Sequence, residues 1–154
     1  MMSNKQSITS TVTGETYKTP SGNCKTKRAV YLAECRLCKI QYTGKTSNKL
    51  QTRISGHRSH VTDFDPEEDD EDLDEKALAE HLLSEHNISD VKTFNESYGF
   101  TVLQINPKNL DKCEQMWANR LITLRPFGLN REKPCGVADS ILDMSLRASQ
   151  SQRR

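Results

Sequence analysis

The sequence predicts a small α+β domain in which helices flank a three-stranded antiparallel sheet. Three observations carry that expectation. Arg28–Glu34 (RAVYLAE) and Ile40–Gly44 (IQYTG) are short strand-like runs joined by a turn-like CRLCK, the pattern of a hairpin. Phe100–Ile105 (FTVLQI) is a third such run. Between and after these strands, apolar residues recur at helical spacing.

The elements follow in order. Residues 1–25, rich in Ser, Thr, Lys and Gly, read as a flexible arm, and the folded domain is expected over 26–131. Thr46 or Ser47 can cap a helix running to about His60, with Leu50, Ile54 and Val61 facing inward. An acidic loop is expected over 62–74. Leu73–Glu85 then carries Leu73, Ala77, Leu78 and Leu82 as one helical face. Asn106-Pro107 marks the start of a last helix that continues to about Leu124 and stops before Pro126. Residues 132–154 read as a polar tail containing a short Ile141–Leu146 stretch.

Composition narrows the class. Of the 154 residues 34% are apolar and the mean hydropathy is −0.76, so the core is small and no membrane-spanning run exists. The start, Met1–Ser10, lacks the apolar segment of a secretory signal, and five cysteines is an odd count for a disulfide framework. An intracellular protein, nuclear or cytoplasmic, is the expectation. The net charge of +1 conceals an asymmetry: Asp65–Glu75 (DPEEDDEDLDE) holds 9 of the 21 acidic residues and no basic one. The other 12 face 22 basic residues, a balance of +10 that suits a polyanion partner or serves solubility alone.

Several residues ask for more than packing. In the first helix, His57 falls inside the inward stripe, and Arg53 borders it one turn away. Arg53 is either a side chain whose stem covers apolar surface or a cation aimed into a cleft. In the last helix Leu110, Cys113, Trp117, Leu121 and Leu124 define the apolar face, and Glu114 falls within it. An ionised carboxylate there needs a cation or donors to replace its water. It is either an edge glutamate paired with Lys or Arg, or a ligand for a divalent metal. Tyr31 and Tyr42, on the two hairpin strands, read as packing, Gly44 as a turn residue and Lys45 as a surface charge. Cys35 and Cys38 form C-x2-C, and His81 and His86 form H-x4-H; both spacings suit zinc, across 42 intervening residues. Shared ligation requires the helix to end near Ser84, because positions i and i+5 diverge by about 140° on a continuing helix. Cys24 and His60 are alternative ligands, Cys113 reads as core, and Cys135 has no assigned role.

Taken in order, Ala29-Val30-Tyr31, Tyr42-Thr43-Gly44, Arg53, Glu114 and Asn130 resemble the GIY-YIG nuclease superfamily. Val30–Cys35 (VYLAEC), Tyr42–Thr46 (YTGKT), Thr52–Ser59 (TRISGHRS) and the E-x2-W-x3-L-x-TL-x-PFGLN run resemble more closely the endonuclease domains of Penelope-like retroelements. The resemblance covers about Cys24 to Asn130. Ala29-Val30 stands where the superfamily has Gly-Ile, and Thr43 where it has Ile; these are scaffold positions.

The resemblance implies a GIY-YIG-like fold, a zinc clamp and a metal-dependent DNA endonuclease that nicks or cuts target DNA. Glu114 would hold Mg²⁺ or Mn²⁺, which polarises the scissile phosphate. Tyr31 would orient or deprotonate the attacking water, and Tyr42 would help position it. Arg53 would neutralise developing charge, and His57 would bind phosphate or move a proton. Asn130 would order the loop beside the metal. On the same reading Gly44, Lys45, Lys49 and Arg58 contact DNA, and Cys35, Cys38, His81 and His86 hold a structural Zn²⁺. In the related retroelements this domain sits beside a reverse transcriptase; no polymerase fits here, so the module is expected to be stand-alone, excised or domesticated. The other reading is a catalytically silent, zinc-containing nucleic-acid-binding or interaction module with the same fold.

Overall fold

A computed structural model describes residues 6–63, 65 and 76–131. Leu73, Cys135, the Ile141–Leu146 stretch, the 132–154 tail and most of the acidic loop lie outside the described residues.

Nine-residue strands β3 (Lys27–Cys35) and β4 (Gln41–Lys49) pair antiparallel, and β5 (Tyr98–Ile105) pairs with the other side of β3. The order β4-β3-β5 makes β3 the central strand, which explains its near-continuous apolar run. The pleat divides that run into two faces. Ala29, Tyr31, Ala33 and Cys35 pack on one side with α1 (Leu50–Asp63), α2 (Ala77–His86) and α3 (Val91–Ser97). Val30 and Leu32 pack on the other with Cys113, Trp117 and Leu121 of α4 (Leu110–Leu121). The α+β class and the three-stranded antiparallel sheet are as the sequence predicts.

Local chemistry moves several boundaries. The second hairpin strand does not stop at Gly44, so neither Thr46 nor Ser47 caps a helix; Thr46 pairs with Ala29 inside β4. The first N–H groups of α1 are met instead by backbone carbonyls, Leu50 donating to Thr26 (2.9 Å) and Gln51 to Cys24 (2.7 Å). At Asn106 the backbone is left-handed (φ 50°) and closes β5, while α4 begins three residues later where the Asn109 side chain accepts from the Lys112 N–H (3.0 Å). The same helix ends at Leu121 rather than Leu124. Thr123 and Leu124 are drawn away to a bridge between Leu124 and Asn130. Helix α3 is absent from the sequence reading, although Asp90 caps it through the Thr93 N–H (2.8 Å).

The N-terminal arm is the largest correction. Within residues 1–25, β1 (Ser7–Thr9) and β2 (Thr16–Lys18) form a hairpin whose turn uses Gly14 at φ 77°. Ile8 is buried against α4, and Tyr17 meets the Trp117 ring edge-on at 5.6 Å, with Arg120 over both rings. Gln41 ties the hairpin to the sheet, accepting from the Thr11 N–H and donating to the Thr9 carbonyl. Ser10 donates to the Leu121 carbonyl at 2.8 Å. One isoleucine and one tyrosine were too sparse a signal against so much Ser and Thr.

Because Ile8 lies in the core, Ile8→Ala is expected to lower the unfolding free energy by about 2 kcal/mol or more. Urea denaturation checks this, and a midpoint unchanged from wild type would restore the flexible arm.

Candidate functional site

The sequence-predicted residues fall into two groups, one in the middle of the hairpin and one at its tip. In the middle, Tyr31 and Gly44 are direct partners across β3 and β4. Only glycine fits at 44: a Cβ there would lie 2.3 Å from the Tyr31 ring carbon Cζ and 2.4 Å from its hydroxyl. Gly44 is therefore a platform for a phenol, where the sequence reading had a turn residue.

The Tyr31 hydroxyl lies 2.6 Å from His57 Nε2, and Tyr42 packs on both partners, its ring 6.4 Å from Tyr31 and 5.5 Å from His57. His57 is 1% exposed and sits in the inward stripe of α1 as its position predicts. Arg53 occupies the preceding turn, half-buried. A phenol hydrogen-bonded to an imidazole nitrogen is a unit that can pass a proton.

Glu114 approaches from the opposite face. Helix α4 leans over β4, and Glu114, 27% exposed at its side chain, lies 3.7 Å from the ammonium of Lys45, the residue after Gly44. Asp111, one turn earlier, contacts the same ammonium, which holds its carboxyl below the usual carboxylate range. Lys45 thus joins two carboxylates, the arrangement expected of an edge glutamate, and it also sets Glu114 against the strand that carries Tyr42 and Gly44.

Asn130 binds β4 directly. Its side-chain oxygen accepts the Thr43 N–H (2.9 Å) and its amide donates to the Thr43 carbonyl (2.7 Å), so the edge strand is satisfied by a side chain. Lys49 is exposed at the end of β4 and pairs in register with Lys27, which sets two like charges opposite each other on neighbouring strands. Arg58, expected to contact DNA, donates from its guanidinium to Asn95 (3.1 Å), which joins α1 to α3, and to Ser55 (2.9 Å) within its own helix.

At the tip, Cys35, Cys38, His81 and His86 converge, their donor atoms all within 4.8 Å of one another. Cys35 Sγ is 3.6 Å from His86 Nε2, and Cys38 Sγ is 3.2 Å from His81 Nε2. A tetrahedral Zn²⁺ with bonds of about 2.3 Å to sulfur and about 2.0 Å to nitrogen puts S and N about 3.5 Å apart, so these donors fit that ion. Cys24 and His60 are outside the cluster. Helix α2 runs to His86, so it need not end near Ser84 for both histidines to join the cluster: a left-handed Asn87 (φ 53°) stops it there, and His86 reaches the cluster from the last turn.

The surroundings prepare the ligands. Burial, with His86 nearby, lowers the His81 imidazole to about 4, so it is neutral and its lone pair is available at pH 7. Burial pushes the Cys35 thiol up, so ligation releases a proton. Tyr98, opposite Cys35 in β5, donates to the Leu78 carbonyl at 2.7 Å and holds α2 over the sheet. Nothing in the sequence marked Tyr98 for that task. Beside the cluster a cleft of about 720 Å³ opens between Ile40, α2 and the 125–129 turn.

In the metal-free chain the depressed His81 makes the unfolded state bind more protons between pH 6.5 and about 4. Stability is then full above pH 6.5 and falls as the pH drops through that window. Urea midpoints at pH 7 and 4.5 should differ, and His81→Gln should shrink the difference. Zn²⁺ should raise the thermal midpoint of wild type and not of Cys38→Ser/His81→Gln. No family model, curated protein or solved structure matches the chain.

Proposed function

We propose that this chain is a metal-dependent DNA endonuclease of the GIY-YIG type, similar to the domains of Penelope-like retroelements, with a Zn²⁺ site holding its fold. What carries the proposal is the Tyr31 phenol seated on Gly44 with its hydroxyl 2.6 Å from His57 Nε2, one turn from Arg53. Packing alone has no use for a glycine, a phenol and an imidazole matched so closely.

The roles follow from the groups present. Tyr31 orients the attacking water and accepts its proton, passing its own to His57; a phenol that ordinarily titrates near ~10 needs such a partner at neutral pH. Arg53 balances the charge that grows on the phosphate, its guanidinium being permanently charged and planar. Glu114, with Asp111 beside it, would hold Mg²⁺ or Mn²⁺, which when bound polarises the phosphate and stabilises the leaving 3′ oxygen. Lys45 and the Lys27–Lys49 pair offer cations for the flanking phosphates. DNA is the proposed partner, and a reverse transcriptase or other retroelement component is the second that the resemblance suggests. No described helix is long and apolar enough to cross a membrane.

A silent nucleic-acid-binding module is favoured by one observation, the burial of Tyr31 and His57 at 0% and 1% exposure. Supercoiled-plasmid cleavage in Mg²⁺ separates the two. Wild type should nick, and Arg53→Ala and Glu114→Ala should each cut at least ~10²-fold more slowly. Binding without nicking by wild type would leave the silent module.

A further inference from the structure

Residues 123–131 are fastened to two different parts of the molecule. They grip β4 on one side: Asn130 makes its two bonds to Thr43, the Thr123 hydroxyl donates to the Thr43 hydroxyl (3.0 Å), and the Leu129 N–H donates to the Gln41 carbonyl (2.9 Å). Because β4 is an edge strand of the sheet, this segment supplies the partner groups its outer side lacks. Gly128 permits the turn, since a Cβ there would meet the Thr123 carbonyl at 2.2 Å. On the side toward α2, Arg125 and Arg131 both reach the carboxylate of Glu80, Arg125 at 3.4 Å and Arg131 in direct contact. The Glu80 and Arg131 side chains are 23% and 17% exposed, so solvent weakens this ion pair less than one on the open surface.

Glu80 precedes His81 on α2, and Arg131 follows Asn130. We infer that Glu80 is a positioning residue that couples the Cys/His cluster to the strand carrying Tyr42 and Gly44. A metal held by His81 and His86 would fix the orientation of α2. Glu80 then fixes Arg131, and through it the Asn130 amide that sets Thr43 between the two residues on which Tyr31 and His57 pack. The catalytic consequence rests on the nuclease reading; the coupling itself does not. It makes cluster occupancy a control on the geometry of the catalytic strand, and it gives the segment 123–131 a purpose beyond closing the fold.

Amide hydrogen exchange of the Zn²⁺-loaded full chain reads the coupling without any cleavage. Glu80→Gln should speed exchange at Thr43 and Leu129 by about 10-fold, a coupling of ordinary size, while Thr101 and Val102 in β5 keep their protection. Glu80→Asp should restore much of the loss, and Arg131→Gln should reproduce it from the other side. The absorption of Co²⁺ substituted into the cluster should be unchanged in Glu80→Gln, showing that the ligands remain in place. In plasmid cleavage the same variant should lose kcat with little change in KM. Unchanged protection at Thr43 in both Glu80→Gln and Arg131→Gln, or equal loss throughout β5, would overturn the coupling. A Thr43 response in a wild type that never nicks DNA would keep the coupling and remove the nuclease.

Discussion

The close approach of the Gly44 backbone to the Tyr31 ring is the constraint from which the rest of the central site follows. With no Cβ at 44, the phenol lies flat across the neighbouring strand and carries its hydroxyl out to His57 on α1. Any larger residue would lift the ring by more than an ångström and separate the oxygen from the imidazole. The buried faces of Tyr42, Leu50 and Ile54 close around that pair, so the packing of α1 on the sheet and the geometry of the site are one arrangement.

Two further devices hold the strand that carries Gly44. From one face, α4 brings Glu114 and Asp111 onto Lys45. Along its outer edge, Asn130 satisfies the backbone of Thr43. A strand at the edge of a sheet is ordinarily its least constrained member, and here it is clasped on either side of Gly44, at Thr43 and at Lys45. Such clasping fixes the strand's backbone, and with it the side chains packed on Tyr42 and Gly44, without help from any ligand.

The Cys/His cluster serves the other helical layer. Helix α2, ten residues long, buries Ala77, Leu78, Ala79 and Leu82 in the core, a small apolar face in a chain that is only 34% apolar. The Tyr98–Leu78 bond and the Glu80 ion pairs add to that face, and a metal held by the four converging Cys and His side chains would add more. In small domains a structural Zn²⁺ contributes folding free energy on the order of 10 kcal/mol, far above what one more apolar contact adds. The N-terminal hairpin does the equivalent service for α4 through Ile8 and Tyr17.

Sequence alone determined the α+β class, the pairing of the two tyrosine strands, the burial of His57 and the four residues of the cluster. Each is written in short-range pattern: alternation for strands, a 3.6-residue period for the helix stripe, and ligand spacing for the cysteines and histidines. Tertiary structure decided what spacing cannot express. The cap of α1 is made by carbonyls from residues 24 and 26, the Ser- and Thr-rich start becomes a docked hairpin because Trp117 is there to receive it, and Arg58 is claimed by Asn95 on another helix. Gly44 looked like a turn and became a seat because the ring above it comes from a strand thirteen residues away. Glu80 and Arg131, 51 residues apart, carried no local signal at all; an ion pair depends on where two chains meet in space, and only folding brings them together.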